Sequence, residues 1–167
     1  MSISKQDFIQ LVNSNQGIIK SVCKAYYSDC EDQKDAFQDI ILQLWNSYKS
    51  FRGESKISTW VYKVSLNTLL NKARSDKRKV FTEPINTSLT NKTNIAYLAD
   101  DDLELLKAII QTLKEVDKAV VILYLEGYKN KEIATMLSIT TTNVSTRLNR
   151  VKAELKLKFK RAHHEFK

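Results

Sequence analysis

Residues 126–151 read EGYKNKEIATMLSITTTNVSTRLNRV, and this stretch predicts two helices joined by a short turn. The small residue Ala134 lies where two helices can cross closely, and Ser138-Ile139-Thr140 supplies the turn. Apolar residues recur at helical spacing on both sides of the turn and define one buried face for each helix: Ile133, Leu137, Ile139, Val144, Leu148, Val151 and Leu155. The pattern predicts a helix-turn-helix.

The opposite face of the second helix is polar and carries Thr142, Asn143, Thr146, Asn149 and Arg150. Thr, Asn and Arg side chains can hydrogen-bond to base edges in a major groove. Arg147 flanks this face. We expect the basic residues beside the face to contact DNA phosphates, and these are Lys129, Lys131, Arg147 and Lys152. The alternative is an ordinary amphipathic helix pair with a hydrated basic surface.

One residue departs from the usual pattern of such a turn. Ser138 stands where glycine is common, and a residue with a Cβ adopts the left-handed backbone conformation only at some cost.

The composition of the whole chain favours helices. Only three glycines and one proline occur in 167 residues, whereas average usage of the two together is roughly 12%. Sheets need such residues at their hairpins and bends, so the fold class predicted is all-α. No run of apolar residues is long enough for a membrane span, and the first residues lack the apolar stretch of a signal peptide. We expect a soluble, cytoplasmic chain.

The helical pattern has two halves. We predict a first domain over residues 1–78, a flexible linker over 79–102 that contains the only proline, and a second domain over 103–167. In the first domain, a capping box at Ser4 opens a helix that should bend or break at Asn13–Gly17. A second capping box begins at Ser28, and a third helix runs from about Ser55 or Ser58 to Ala73.

Charge is unevenly distributed along this chain of net charge +8. Residues 29–39 carry a net −4, whereas residues 48–78 carry +6 and residues 129–161 carry +7. Two basic blocks indicate two separate contacts with a polyanion. The two cysteines lack the spacing of a zinc or redox site, and no catalytic set or phosphate-binding loop is present. We therefore predict no metal, no cofactor and no enzymatic activity.

Two stretches of the first half carry a family resemblance. Asp32-Gln-Lys-Asp35-Ala-Phe-Gln38-Asp39-Ile-Ile-Leu-Gln-Leu-Trp45, followed by Ser58-Thr-Trp60-Val-Tyr-Lys63-Val-Ser-Leu-Asn67, resembles region two of bacterial extracytoplasmic-function (ECF) sigma factors. The helix-turn-helix, with Glu126-Gly127 and Glu132-Ile133-Ala134, resembles region four of the same family. The chain departs from the family pattern at Ala36, Ile41, Ser65-Leu66 and Lys114. None of these departures removes a proposed contact residue.

The resemblance implies a sigma factor that binds RNA polymerase core enzyme and two promoter elements. Core binding is expected from an acidic helix face formed by Asp32, Asp35, Gln38 and Asp39. Minus-ten DNA is expected to contact the loop around Phe51 and a polar seam on the following helix, that is Phe51, Arg52, Lys56, Lys63, Asn67 and Arg74. Minus-35 DNA is expected to contact Lys129, Lys131, Thr142, Asn143, Thr146, Arg147 and Arg150.

The family is commonly held inactive by an anti-sigma factor, so the resemblance also implies such a partner, anchored in a membrane. Core packing is the favoured role for Trp45 and Trp60, while Phe51 is compatible with packing or with base contact.

Two other functions remain open at this point. One is a helix-turn-helix regulator that binds duplex DNA and uses its first half for dimerisation or for sensing a ligand. The other is a protein-interaction adaptor whose basic faces are incidental. Co-purification with core polymerase separates a sigma factor from a repressor, and salt-sensitive DNA affinity separates both from the adaptor.

Overall fold

The computed structural model describes residues 4–80 and 102–164, and within these ranges the chain forms seven helices and no strand. This confirms the all-α prediction. The chain divides into two compact units, Met1–Arg74 (unit 1) and Ser75–Lys167 (unit 2). Residues 81–101 of the predicted linker lie outside the described ranges. No helix within the described ranges is both long enough and apolar enough to cross a membrane.

Three helices begin in unit 1: α1 (Lys5–Tyr26), α2 (Cys30–Tyr48) and α3 (Ile57–Val80). The capping box predicted at the start of α1 is confirmed. The Asp7 backbone N–H donates to Ser4 Oγ at 3.2 Å, and the Ser4 N–H donates to Asp7 Oδ2 at 3.3 Å. Two of the backbone donors that a helix start leaves unpaired are thereby satisfied.

Of the predicted bend or break at Asn13–Gly17, the break is wrong, because α1 runs through this segment without interruption. Asn15 is buried, and its Nδ2 donates to the backbone carbonyl of Leu11 at 2.8 Å. A buried amide that bonds within the helix no longer competes with it. Packing of α1 against α2 therefore outweighs the poor helix propensity of this segment.

Two further boundaries differ from the prediction. Asp29, rather than Ser28, caps α2, since its Oδ1 accepts from the backbone N–H groups of Glu31 and Asp32 at 2.8 and 3.2 Å. Helix α3 continues seven residues beyond the predicted end at Ala73. The added residues include lysines and arginines of good helix propensity and contain neither glycine nor proline.

The core of unit 1 is formed by aliphatic residues from all three helices, with Ile19, Val22, Ile40, Leu44, Val61, Leu66 and Leu69 fully buried. Beside it runs an aromatic chain in which neighbouring ring centroids are 4.9 to 6.1 Å apart, in the order Phe51, Trp60, Tyr48, Phe8 and Trp45. Core packing was the wrong prediction for Trp45, which is 42% exposed. Trp60 is half-buried between Tyr48 and Phe51.

The two cysteines differ in environment, and we expect them to differ in reactivity. Cys23 is buried, and burial raises the pKa of its thiol to about 11, whereas Cys30 is exposed at the start of α2. Because the thiolate is the nucleophile, iodoacetamide should label Cys30 at least about a hundred times faster than Cys23 in the native protein. Peptide mapping measures the two rates. In guanidinium both should react alike, and equal rates in the native state would contradict this assignment.

Unit 2 contains α4 (Asp102–Thr112), α5 (Glu115–Leu125), α6 (Asn130–Leu137) and α7 (Thr141–His164). Helix α7 packs against each of the other three. The predicted end of α5 near Gly127 is confirmed, because Gly127 has a φ of 87° and its N–H donates to the Tyr124 carbonyl. The fully buried residues of this unit include Leu105, Ile109, Val120, Leu123, Ile133 and Val144.

Candidate nucleic-acid interface

Helices α6 and α7 form the predicted helix-turn-helix. Ala134 is buried at the crossing, and its carbonyl accepts from the N–H of Ile139 at 3.0 Å. Asn130 on α6 donates from Nδ2 to Ser145 Oγ on α7 at 3.0 Å, which fixes the two helices side by side. Of the seven predicted packing residues, five are buried, and the other two, Ile139 and Leu155, are half-buried. The packing faces of both helices are thus those that the sequence predicted.

The turn places Ser138 in the left-handed region, with φ 54° and ψ 44°. Among the described residues it is the only one other than glycine with a positive φ. A residue with a Cβ pays for this conformation, so the sequence correctly located a strained position. The turn nevertheless forms, because Ile139 and Leu137 are held by the packing around them.

We expect Ser138→Gly to raise the free energy of unfolding by about 0.5–1 kcal/mol, because glycine adopts φ 54° without a clash. Ser138→Ala is the matched control: it removes the hydroxyl but keeps the Cβ, so it should give no gain. Urea unfolding midpoints of the three proteins provide the comparison. If Ser138→Ala raised the free energy of unfolding by the same amount, the hydroxyl group and not the backbone conformation would be the source of the strain.

The predicted reading face of α7 is solvent-exposed. Thr140 Oγ1 accepts from the backbone N–H of Asn143 at 3.1 Å and so caps the start of the helix. Beyond this cap the exposed polar residues are Thr142, Asn143, Thr146, Asn149 and Arg150, and the exposed lysines at the start of α6 are Lys129 and Lys131. The structure therefore brings all seven predicted minus-35 residues onto the helix-turn-helix of unit 2.

Asp117 on α5 is a residue that the sequence analysis missed. It is 4% exposed, and each carboxylate oxygen accepts from one arginine of α7, Oδ1 from Arg147 Nη1 at 2.6 Å and Oδ2 from Arg150 Nη2 at 2.7 Å. Arg147 also donates from Nε to Asn143 Oδ1 at 2.6 Å. We call these four residues, Asp117, Asn143, Arg147 and Arg150, the Asp117 bridge. Asn143 and Arg150 of the predicted reading face, and Arg147 beside it, thus have intramolecular partners.

Two lysines near this face are also engaged. Lys152 Nζ lies 4.4 Å from the centroid of the Tyr124 ring and donates to its hydroxyl at 3.1 Å. Lys118, next to Asp117, is buried, and the burial lowers the pKa of its ammonium group. Both lysines thus interact with neighbouring groups of the protein, whereas Lys129 and Lys131 are exposed at the start of α6.

In unit 1 the predicted acidic face divides into two parts. Asp32, Asp35 and Gln38 are exposed on α2, whereas Asp39 Oδ2 accepts from Lys72 Nζ on α3 at 2.6 Å. The hydrogen bond to Asp39 raises the pKa of Lys72. A raised pKa means that this pair adds to stability at neutral pH and up to 10.5, the ordinary value for lysine, and that the contribution is lost as pH rises through the raised pKa. Asp39 therefore joins α2 to α3.

An apolar groove between α1 and α2 adjoins this acidic face and was not predicted. Ile9 and Leu42 are about half exposed on its rim. Gln38 belongs to both the groove and the acidic face. The groove is lined by Lys5, Phe8, Ile9, Phe37, Gln38, Ile41, Leu42 and Trp45. The signal in the sequence was the width of the apolar face of α2, which α1 covers only in part.

The predicted minus-ten residues lie in the loop before α3 and along α3 itself. Phe51 is half-buried, with its ring centroid 5.0 Å from that of Trp60, while Arg52 and Lys56 are exposed. On α3, Lys63 and Arg74 are exposed, and Asn67 is half-buried with its Nδ2 donating to the Lys63 carbonyl at 2.8 Å.

We find no group of three or more metal-ligating side chains in the parts of the chain that the structure describes.

The family described as Sigma-70 region 2 matches residues 11–79, and the family described as Sigma-70, region 4 matches residues 103–155. The chain is similar to RNA polymerase sigma factor YlaC of Bacillus subtilis, with 33% identity over 81% of this chain and 82% of that protein. It is also similar to the ECF RNA polymerase sigma-E factor of Haemophilus influenzae, with 26% identity over 89% and 85% of the two chains.

A solved structure shares the fold. The sigma factor RpoE of Bartonella quintana, determined in complex with the anti-sigma factor NepR, superposes with a TM-score of 0.70 and covers 93% of this chain and 98% of its own. The sequence identity is 18%, so the likeness concerns the fold alone.

Proposed function

The chain belongs to the sigma-70 family and, within it, to the ECF RNA polymerase sigma factors, and from this premise we propose how its two units divide the work of promoter recognition. Its function is to direct RNA polymerase core enzyme to promoters. The single observation that carries this function is the presence of both regions, in the family's order, on one chain. A duplex-binding repressor needs only the second.

The helix-turn-helix of unit 2 reads the duplex minus-35 element. Its exposed base-reading candidates are Thr142, Asn143, Thr146 and Arg150, and the chemistry of these side chains suits base edges in a major groove. Lys129 and Lys131 lie at the exposed start of α6 and neutralise phosphates. Arg147, which is held by Asn143 and Asp117, adds positive charge to the surface and orients the neighbouring side chains.

The exposed part of the α2 face in unit 1 binds core polymerase through Asp32, Asp35 and Gln38. The adjoining apolar groove supports this role, because Gln38 belongs to both surfaces. Asp39 acts indirectly, by holding α2 against α3. The minus-ten strand contacts the loop and the outer side of α3 through Phe51, Arg52, Lys56, Lys63, Asn67 and Arg74. A captured base would stack on Phe51, which Trp60 supports from behind.

The chain itself is not an enzyme and acts in the cytoplasm, where RNA polymerase lies. Its third partner, after core polymerase and promoter DNA, is an anti-sigma factor anchored in the membrane. The support for this partner is the family membership and the structural neighbour, which was solved with an anti-sigma factor.

The test is reconstitution with core RNA polymerase that lacks its own sigma factor. The full chain should co-elute with core enzyme and produce run-off transcripts from specific genomic fragments. A chain that binds duplex DNA but neither retains core enzyme nor yields transcripts would instead be a helix-turn-helix regulator.

A further inference from the structure

The reading face of α7 is tied to α5 by the Asp117 bridge. Asn143, Arg147 and Arg150 are spaced four and three residues apart and therefore lie on one side of α7. Asp117 reaches this side from α5, 30 residues before Arg147 in the sequence and 33 before Arg150. The bridge is thus a tertiary contact that joins three side chains of the proposed reading face into a single hydrogen-bonded chain.

Burial makes the bridge important for the stability of the folded unit. The Asp117 side chain is 5% exposed, and a buried carboxylate needs compensating charge and hydrogen bonds. The two guanidinium groups supply both. The side chain of Arg147 is 26% exposed and that of Arg150 is 54% exposed, so Arg147 is held inside the bridge while Arg150 keeps most of its donors towards solvent.

The bridge also fixes the orientation of the Asn143 amide. Asn143 Oδ1 accepts from Arg147 Nε, so the side chain's donor group, Nδ2, is the one that the bridge leaves for a contact with DNA. An amide N–H₂ group donates to purine N7, guanine O6 or thymine O4 in a major groove. An arginine whose position is fixed prefers guanine, which offers two acceptors.

We propose that Asp117 is a positioning residue that sets the DNA sequence preference of unit 2 through Asn143, Arg147 and Arg150. This proposal rests on the proposed function of α7 as the minus-35 reader. The rotamer freedom of the two arginines is lost on folding and not on DNA binding, so the base contacts form without a further ordering cost. Removal of Asp117 releases both side chains, and base discrimination then falls although the positive charge of the surface rises.

The experiment compares full-length variants bound to core RNA polymerase. Each complex selects duplexes from a pool randomised over the minus-35 segment, and sequencing gives the discrimination at each base pair. In the wild type a mismatch should reduce binding roughly 5- to 150-fold. Asp117→Asn should reduce this discrimination to about threefold or less at the pairs contacted by Asn143 and Arg150. Affinity for a fixed nonspecific duplex should stay equal or rise, because a negative charge is removed.

Two further variants separate positioning from general damage. Glu104→Gln is the matched control, since it also neutralises a carboxylate of unit 2 and breaks an ion pair, that with Lys107, but it lies on α4, which carries no member of the bridge. It should retain the wild-type preference. Arg147→Lys keeps the charge but cannot span Asn143 and Asp117 as the planar guanidinium does, so it should lose discrimination as Asp117→Asn does. It also provides the test if Asp117→Asn fails to fold.

The outcomes distinguish this inference from its premise. If the wild-type complex selects no motif, the proposed function of α7 fails and the role of Asp117 falls with it. If the wild type selects a motif and both Asp117→Asn and Arg147→Lys retain its full discrimination, only the positioning role is overturned. A uniform loss of binding to all duplexes with unchanged discrimination has the same consequence.

Discussion

Reversal of two charges on α2, by Asp32→Lys and Asp35→Lys together, should reduce the affinity of the chain for core RNA polymerase at least about a hundredfold, or ~3 kcal/mol. Both side chains are exposed, so the substitutions should leave the fold unchanged. An acidic face is complementary to a basic partner surface, and reversal of its charges turns that attraction into repulsion. Fluorescence anisotropy of the labelled chain, titrated with core enzyme, measures the effect.

A matched control is available in unit 2. Glu104→Lys with Glu126→Lys changes the net charge by the same amount at two exposed positions outside α2 and should bind core enzyme almost as the wild type does. Asp39 is left intact, because its reversal would break the ion pair with Lys72 and confuse binding with folding. Unchanged core affinity in the α2 variant would remove this face from the polymerase interface.

The second large effect concerns the fold of the DNA-reading unit. Leu148→Ala should lower the free energy of unfolding by about 2–5 kcal/mol, since Leu148 is 5% exposed and its truncation leaves a cavity between α7 and the helices beneath it. Sequence-specific duplex binding should be lost with it, because the position of α7 depends on this packing. Urea unfolding and the duplex selection described for Asp117 provide the two measurements.

Leu157→Ala makes the same chemical change on the same helix at a side chain that is 50% exposed. It should alter the free energy of unfolding by no more than about 0.5 kcal/mol. Because both variants exchange leucine for alanine on α7, the difference between their free energies of unfolding reports the effect of burial and not of helix propensity. Equal destabilisation by both would mean that Leu148 does not belong to the core of unit 2.

Periodicity was sufficient to predict the helix-turn-helix. Val144, Leu148 and Val151 are spaced as one face of a helix requires, and all three are buried. The break predicted in α1 failed for a reason that local sequence does not contain. Asn15 has poor propensity as an isolated residue, but in the folded unit it is buried and its amide bonds to the Leu11 carbonyl. Tertiary packing decided the outcome there.

The sequence predicted which residues form the candidate surfaces, but it did not predict which residues of other helices they contact. Asp39 and Lys72 are 33 residues apart, and Asp117 is 30 residues from Arg147. The periodicity of one helix indicates which side chains share a face, yet it carries no information about the side chain that meets them from another helix. For the same reason Trp45 was assigned to the core, although α1 covers only part of the apolar face of α2.

The aromatic chain of unit 1 has a spectroscopic consequence. Both tryptophans of the protein, Trp45 and Trp60, belong to this chain, and unit 2 has none. Selective excitation of tryptophan therefore reports on unit 1 without any added label. A base that stacks on Phe51 would alter the emission of Trp60, whose ring lies 5.0 Å away, whereas a duplex held by α7 contacts no tryptophan of its own unit. Stopped-flow tryptophan fluorescence can thus time the arrival of a base at Phe51 without a direct signal from a duplex bound by α7.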